Sequence, residues 1–252
     1  MNQRSDKTLL VIGLGVVDYG EGLRLQELAV AARLVGGIPD VLFLLEHSSV
    51  FTLGRGSEPD EILVPPATLH GLGVEVHASD RGGKATYHGP GQLVGYPILR
   101  LDGQDRDAHR YLRRLEEVLI RTVAHWGIRA ERDAHGTGVW VGRRKIASLG
   151  IALKRWVAYH GFALNVAPQM RMFELIVPCG IRKGRMTSMA KLLGEPRSMD
   201  ECKRVVTQEF AREFSLKPVD ITLEEFFDLA QTALASEATA ASHALERCQI
   251  PA

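Results

Sequence analysis

Residues 80–97, DRGGKATYHGPGQLVGYP, pack five glycines and two prolines around Arg81, Lys84, Thr86, Tyr87 and His88. Glycine admits positive φ and lets a ligand approach bare backbone, at an entropic cost of roughly 0.5–1 kcal/mol per residue. That cost beside so many polar donors points to a ligand-facing loop. A long Gly/Pro turn between two strands is the plain alternative, and the segment alone leaves both open. Upstream, Val74 and Val76 alternate with Glu75 and His77, which predicts a half-buried strand. Downstream, residues 92–99 read as another strand, so the loop joins two strands.

Working outward, residues 8–14 predict a strand, and Asp18 three residues before Glu21 predicts a helix start. That helix carries Leu25, Leu28, Ala32 and Val35 on one face and stops at Gly36-Gly37. Residues 40–46 and 50–53 read as strands. Leu112, Leu115, Leu119, Thr122 and Trp126 space a helix over residues 107–126, whose Arg and Glu residues predict a solvated face. Residues 128–166 predict an antiparallel meander. Ser198 with Glu201, and Thr222 with Glu225, open two further helices. The sum predicts an α+β fold, a central mixed or antiparallel sheet with packed helices, as one domain over residues 1–234. Residues 235–252 are an Ala-rich tail or helix extension.

A net charge of +1 argues against a nucleic-acid binder that relies on a broad basic surface. The longest apolar run, residues 9–17, has nine residues, far short of the ~20 that span a bilayer. The N-terminal residues show no secretory pattern, and three cysteines without C-x-x-C spacing fit a reducing compartment. A cytoplasmic protein, with neither nucleic acid nor membrane as partner, is the expectation.

Among the cysteines, Cys179 stands between Pro178 and Gly180, in a restricted turn with open backbone. Cys202 falls on an apolar helix face, as a small hydrophobe would. A cysteine nucleophile needs its thiolate, and therefore a base or a positive charge nearby. Lys145 opens an apolar strand with small residues, and a lysine that enters the interior there loses hydration. In isolation the plainer reading, a water-facing turn lysine in the basic run Arg143-Arg144-Lys145, prevails, and His88 and His160 stay open as bases. Ser148-Leu149-Gly150 and Gly161-Phe162-Ala163 place glycine in strand interiors, where a bulge or a ligand comes close. No Walker, HExxH or C-x-x-C motif is present, and Asp18 occupies the third-glycine position of a Rossmann fingerprint. No cofactor or metal is expected.

Three blocks in order resemble the lipoyl(octanoyl) transferases, or octanoyl-ACP:protein N-octanoyltransferases. They are HSSVFTLGRGS with DRGGKATYHGPGQLVGYPI, then GVWVGRRKIASLGIALKRWVAYHGFALNV, then IVPCGI with RMTSM. The resemblance covers about residues 47–189. It implies the biotin/lipoate protein ligase catalytic fold, and Cys179 as the nucleophile that forms an octanoyl thioester, with Lys145 lowering that cysteine's pKa or accepting its proton. It implies substrate binding by Arg81, Gly82, Gly83, Lys84, Ala85, Thr86, Tyr87 and His88, with His88 positioning rather than catalytic. The segments Ser148, Leu149, Gly150 and Gly161, Phe162, Ala163 join them. The implied donor is octanoyl-acyl carrier protein. The implied acceptors are lipoyl domains of 2-oxoacid dehydrogenase E2 subunits and the glycine cleavage H protein. Lys84 departs from the family pattern, where Gln is more usual, and His77 stands where Arg or another polar residue is expected. An ATP-dependent lipoate or biotin ligase on the same fold, and a non-catalytic carrier-protein binder, are the alternatives.

Overall fold

The computed structural model describes residues 7–133, 136–177 and 186–248. In chain order the elements are β1 (Thr8–Val17), α1 (Tyr19–Leu34), β2 (Asp40–His47), β3 (Val50–Leu53), α2 (Pro66–Gly71), β4 (Glu75–Ala78), β5 (Thr86–His88) and β6 (Gln92–Arg100). Then come α3 (Ala108–Ala124), β7 (Glu131–Asp133), β8 (Gly136–Val141), β9 (Arg144–Lys154) and β10 (Val157–Asn165). The chain continues through α4 (Met189–Leu193), α5 (Met199–Phe214), β11 (Lys217–Asp220) and α6 (Leu223–Cys248).

A large sheet in the order β11-β1-β2-β6-β10-β9-β8-β7 forms the centre, and β4-β3-β5 form a small second sheet. β1 runs parallel to β2 and β11, and the rest of the large sheet is antiparallel, so it is mixed. The meander over residues 128–166 is the run β7 to β10. Alternation along the strands decides the layers. Leu9, Val11, Leu42 and Leu44 face one side, where Leu115, Leu119, Val206 and Phe210 of α3 and α5 cover them. Leu10, Ile12, Phe43 and Leu45 face the other, under Leu25 and Ala29 of α1 and Phe226 and Ala230 of α6. Each such side chain, fully buried, contributes roughly 1.5–3 kcal/mol.

The caps follow the sequence. Asp18 accepts from Gly20 and Glu21 N–H, Ser198 from Glu201 N–H, and Thr222 and Glu225 exchange bonds as a full capping box. Two expectations differ. Val76 is exposed, because β4 is the outer strand of the small sheet rather than a half-buried one. Glu116, assigned to a solvated face of α3, is fully buried. β11 carried no apolar signal, since all four of its residues are exposed at the sheet edge. No described helix is long and apolar enough to cross a membrane.

One irregularity in the large sheet prepares the site. Pro97 has no N–H to give and lies on β6, a strand with neighbours on both sides. Pairing between β6 and β10 runs to Ala158 opposite Leu99 and resumes at Phe162 opposite Gly95. In the gap His160 takes a φ of +56°. Regular pairing lapses there although Gly161 lies close against Gly95 O and Pro97, and a cavity opens beside the lapse.

Candidate active site

Two cavities share a wall. The inner one is lined by Arg81, Gly83, Lys84, Thr86 and His88 of the loop, by Ser148, Leu149 and Gly150 of β9, and by Gly161, Phe162 and Ala163 of β10. Tyr19, Val94, Tyr96 and His160 complete it. The outer one holds Lys145, Trp140, Gly136 and Thr137, with Gly82, Leu112 and His109. Gly83, Lys84, Leu149 and Gly150 belong to both. The two tripeptides of β9 and β10 and most of the loop therefore meet in space. Ala85 and Tyr87 do not line either cavity. They alternate with Thr86 along the chain and pack into the small core, Tyr87 edge-on to Phe51 and Phe173.

Backbone contacts hold the loop across β9. Gly82 N–H donates to Ile151 O at 2.9 Å, and a Cβ on Gly150 would come within 2.6 Å of Gly82 O. Only a glycine lets the two backbones lie that close. Arg81 donates to Thr52 O at 2.9 Å and to Thr52 Oγ1 at 2.8 Å. Ahead of it, the Asp80 carboxylate takes hydrogen bonds from Tyr159 and His160. Burial pushes the Asp80 carboxyl up, but those two bonds outweigh it and hold it below its usual value.

His88 is buried and tied on both nitrogens. Gln92 donates through Nε2 to Tyr87 O and Asn165 Oδ1, so its Oε1 accepts from His88 Nδ1–H at 2.7 Å. Thr52 Oγ1 already accepts from Arg81 and lies 3.4 Å from His88 Nε2. Burial, with His47 and Arg81 nearby, lowers the His88 pKa to about 3. Its neighbour His47, whose Nδ1–H donates to Val17 O and whose Nε2 accepts from Tyr96, is lowered by burial to about 4. His160 is likewise lowered by burial, with Asp80 opposing. All three imidazoles are neutral at neutral pH.

The hydrogen bonds continue past His88. Asn165 Nδ2 donates to Thr187 O at 2.9 Å, and Thr187 N–H donates to Lys145 O at 2.9 Å. A single chain of bonds thus runs from the glycine-rich loop through Gln92 and Asn165 to the backbone of Lys145.

Lys145 is 3% exposed. A register shift between Val139 and Trp140, a β-bulge, sets its direction. Its Nζ lies 5.4 Å from the centre of the Trp140 ring, and among the described residues no acceptor is in hydrogen-bond range of it. Thr86 Oγ1 and Trp140 Nε1 are also buried without a partner among the described residues. Cys179 lies outside the described residues. The chain on either side of it is anchored at the site: Val177 N–H donates to Glu61 O at 2.7 Å, and Met186 bridges Lys145.

Sequence reasoning missed Glu61, Glu116, Gly138, Tyr19 and Tyr96. Glu61 accepts from Ala85 N–H at 2.8 Å and pairs with Lys84 at 3.1 Å. It is a buried carboxylate in a short 3-10 turn, and nothing in its neighbours along the chain marks it. Lys84, which stands where the resemblance leads to the expectation of Gln, is matched by that carboxylate. His77 pairs with Glu75 beside it, on the exposed β4 strand.

The family model for the lipoyl protein ligase A/B catalytic domain matches residues 18–211. An octanoyltransferase of Gloeobacter violaceus is 47% identical over 209 residues, which cover 82% of this chain and 91% of that protein. A solved lipoate-protein ligase A bound with ATP aligns at a TM-score of 0.69 and 17% identity, over 91% of this chain and 94% of that one. The biotin protein ligase from Aquifex aeolicus, in complex with biotin and ATP, aligns at 0.51 and 13% identity, over 83% of this chain and 71% of that one. These two likenesses establish the fold, the α+β catalytic fold of lipoate and biotin ligases.

Proposed function

Because this chain belongs to the octanoyltransferases, acyltransferases within the lipoyl protein ligase A/B catalytic-domain family, we propose that it moves an octanoyl group in two steps through Cys179. In the first, the Cys179 thiolate attacks the thioester carbonyl of octanoyl-acyl carrier protein. The new C–S bond forms as the carrier's C–S bond breaks, and the carrier thiol leaves with a proton. In the second, a lysine amine of a lipoyl domain attacks the acyl-enzyme, an amide forms and the cysteine thiol is released. Thioester exchange is close to balanced and amide formation from a thioester is downhill, so neither step calls for ATP. Acceptors of this class are the lipoyl domains of 2-oxoacid dehydrogenase E2 subunits and the glycine cleavage H protein. The setting is the cytoplasm.

Lys145 takes the thiol proton in step one and returns it to the leaving carrier thiolate. The observation that carries this reading is its side chain, buried at the wall of a cavity with no acceptor for Nζ among the described residues. A lysine in a cavity wall with no ion-pair partner among the described residues has no structural bond to hold there, which favours its use for chemistry. The inner cavity, faced by Val94, Leu149, Phe162, Ala163 and the aromatic rings, takes the acyl chain. The loop and Gly150 form the neck between the chain and the reacting carbonyl.

Incubation with octanoyl-acyl carrier protein alone tests the reading. The intact protein should gain the mass of one octanoyl group, and Cys179→Ala should gain nothing. An adduct that survives that substitution rejects the nucleophile. Amide formation that requires ATP and free octanoate assigns the chain a ligase reaction instead.

A further inference from the structure

Glu116 is a carboxylate with no exposure, at the middle of α3, and none of the steps above uses it. Its Oε2 faces two guanidinium groups, Arg113 Nη1 at 2.9 Å and Arg132 Nε at 3.3 Å. Its Oε1 accepts from the backbone N–H of Gly138 at 2.9 Å. Arg132 also donates to Glu117 at 2.6 Å and to Arg113 O at 2.9 Å, which locks the cluster to α3. The ion pairs satisfy the buried charge, and the remaining oxygen is spent on one peptide group of β8.

That peptide is the one against Lys145. Gly138 has a φ of +146°, a conformation that L side chains rarely adopt. A Cβ on it would lie 2.2 Å from Lys145 Cε and 3.0 Å from Nζ. The bulge at Val139–Trp140 lies next to it in the strand and removes the regular ladder that would otherwise hold this part of β8. The Glu116 bond replaces it. The Lys145 stem is therefore enclosed by Trp140 on one side and by the Gly138 backbone on the other.

We propose that Glu116 is a positioning residue for Lys145: through the Gly138 peptide it fixes the wall that directs the lysine Nζ into the outer cavity. The inference rests on the proton-transfer role given to Lys145 above. A residue that acts only through Lys145 has nothing left to do once Lys145 is gone, so a double-mutant cycle separates positioning from general support of the fold.

Single-turnover octanoyl transfer from octanoyl-acyl carrier protein to a lipoyl domain is measured for the wild type, Glu116→Ala, Lys145→Ala and the double variant. In the wild-type background Glu116→Ala should slow transfer by ~10²-fold, the scale of a misplaced catalytic group, with the donor KM little changed. In the Lys145→Ala background it should slow transfer by less than ~3-fold. Equal losses in the two backgrounds overturn the proposal. Full activity of Lys145→Ala instead overturns the role given to Lys145, a separate failure. If thermal unfolding shows Glu116→Ala to be unfolded, Glu116→Met, which fills a similar volume and cannot accept from Gly138 N–H, carries the same cycle with the same outcomes.

Discussion

The two walls of the site handle buried polar groups in opposite ways. At the His88 wall, both ring nitrogens face side-chain partners, and Gln92 and Asn165 behind it are bonded in turn. At the Lys145 wall, the backbone is held at both the Thr187 and the Gly138 side, while Nζ itself has no acceptor among the described residues. A histidine beside glycines is the residue a reader of the loop suspects first. Its neutral, fully tied ring is instead part of the scaffold, and the group left free for chemistry comes from a strand over fifty residues later. Saturated hydrogen bonds mark what holds the cavity, and a buried lysine without a bonded partner among the described residues marks what is proposed to act in it.

The largest way to break this contrast is at the lysine. Lys145→Arg keeps a positive charge, but a guanidinium stays protonated and cannot accept a proton. Acyl transfer should fall by ~10²–10⁴-fold in single-turnover assays, the usual worth of general acid–base catalysis. Wild-type rates across neutral pH in this variant would remove proton transfer from the lysine's role.

Acid attacks the other wall. His47 and His88 titrate near 4 and 3 in the folded chain, against an ordinary 6.5, with burial the leading cause. Below pH 6.5 the unfolded chain binds protons that the native state refuses. Stability is therefore complete above pH 6.5 and falls as pH drops toward those folded values. Between pH 7.5 and 5.5 these two rings should remove about 2–3 kcal/mol, read from urea midpoints. His47→Gln should cut that loss by roughly half. A loss unmoved by the substitution would place the titration outside this wall.

The smallest effect belongs to Lys84, which stands between the cavities. Its ammonium is 41% exposed and pairs with Glu61 at 3.1 Å. Lys84→Gln should change stability by less than about 1 kcal/mol, since the lysine side of the pair is solvated and screened and the buried Glu61 keeps its bond from Ala85 N–H. A larger shift in the thermal midpoint would show that the neck depends on the charge and not on its backbone bonds.

Much of the architecture was legible from residues alone, because it rests on local rules. Asp18, Ser198 and Thr222 cap the helices that their side chains announce. Alternation along β2 sorts Leu42 and Leu44 from Phe43 and Leu45 onto the two faces. β11 escaped, since a fully exposed edge strand with Pro218 carries no burial signal. Periodicity also misplaced Glu116: its position reads as the polar side of α3, and only the arrival of Arg132 and Gly138 from later strands makes its burial tolerable.

By itself the sequence determined the elements, the glycine-rich loop and the short list of reactive side chains, since propensity, capping and backbone freedom are properties of neighbours in the chain. Tertiary structure alone decided which of them share a cavity. Lys145 meets the loop because Gly150 lets Gly82 lie against β9, and because a bulge turns the lysine away from the ladder. His88 is neutral because Gln92, Thr52 and the surrounding core enclose it. Burial and hydrogen-bond partnership come from contacts distant in sequence, and those contacts set the charge and the freedom of each group.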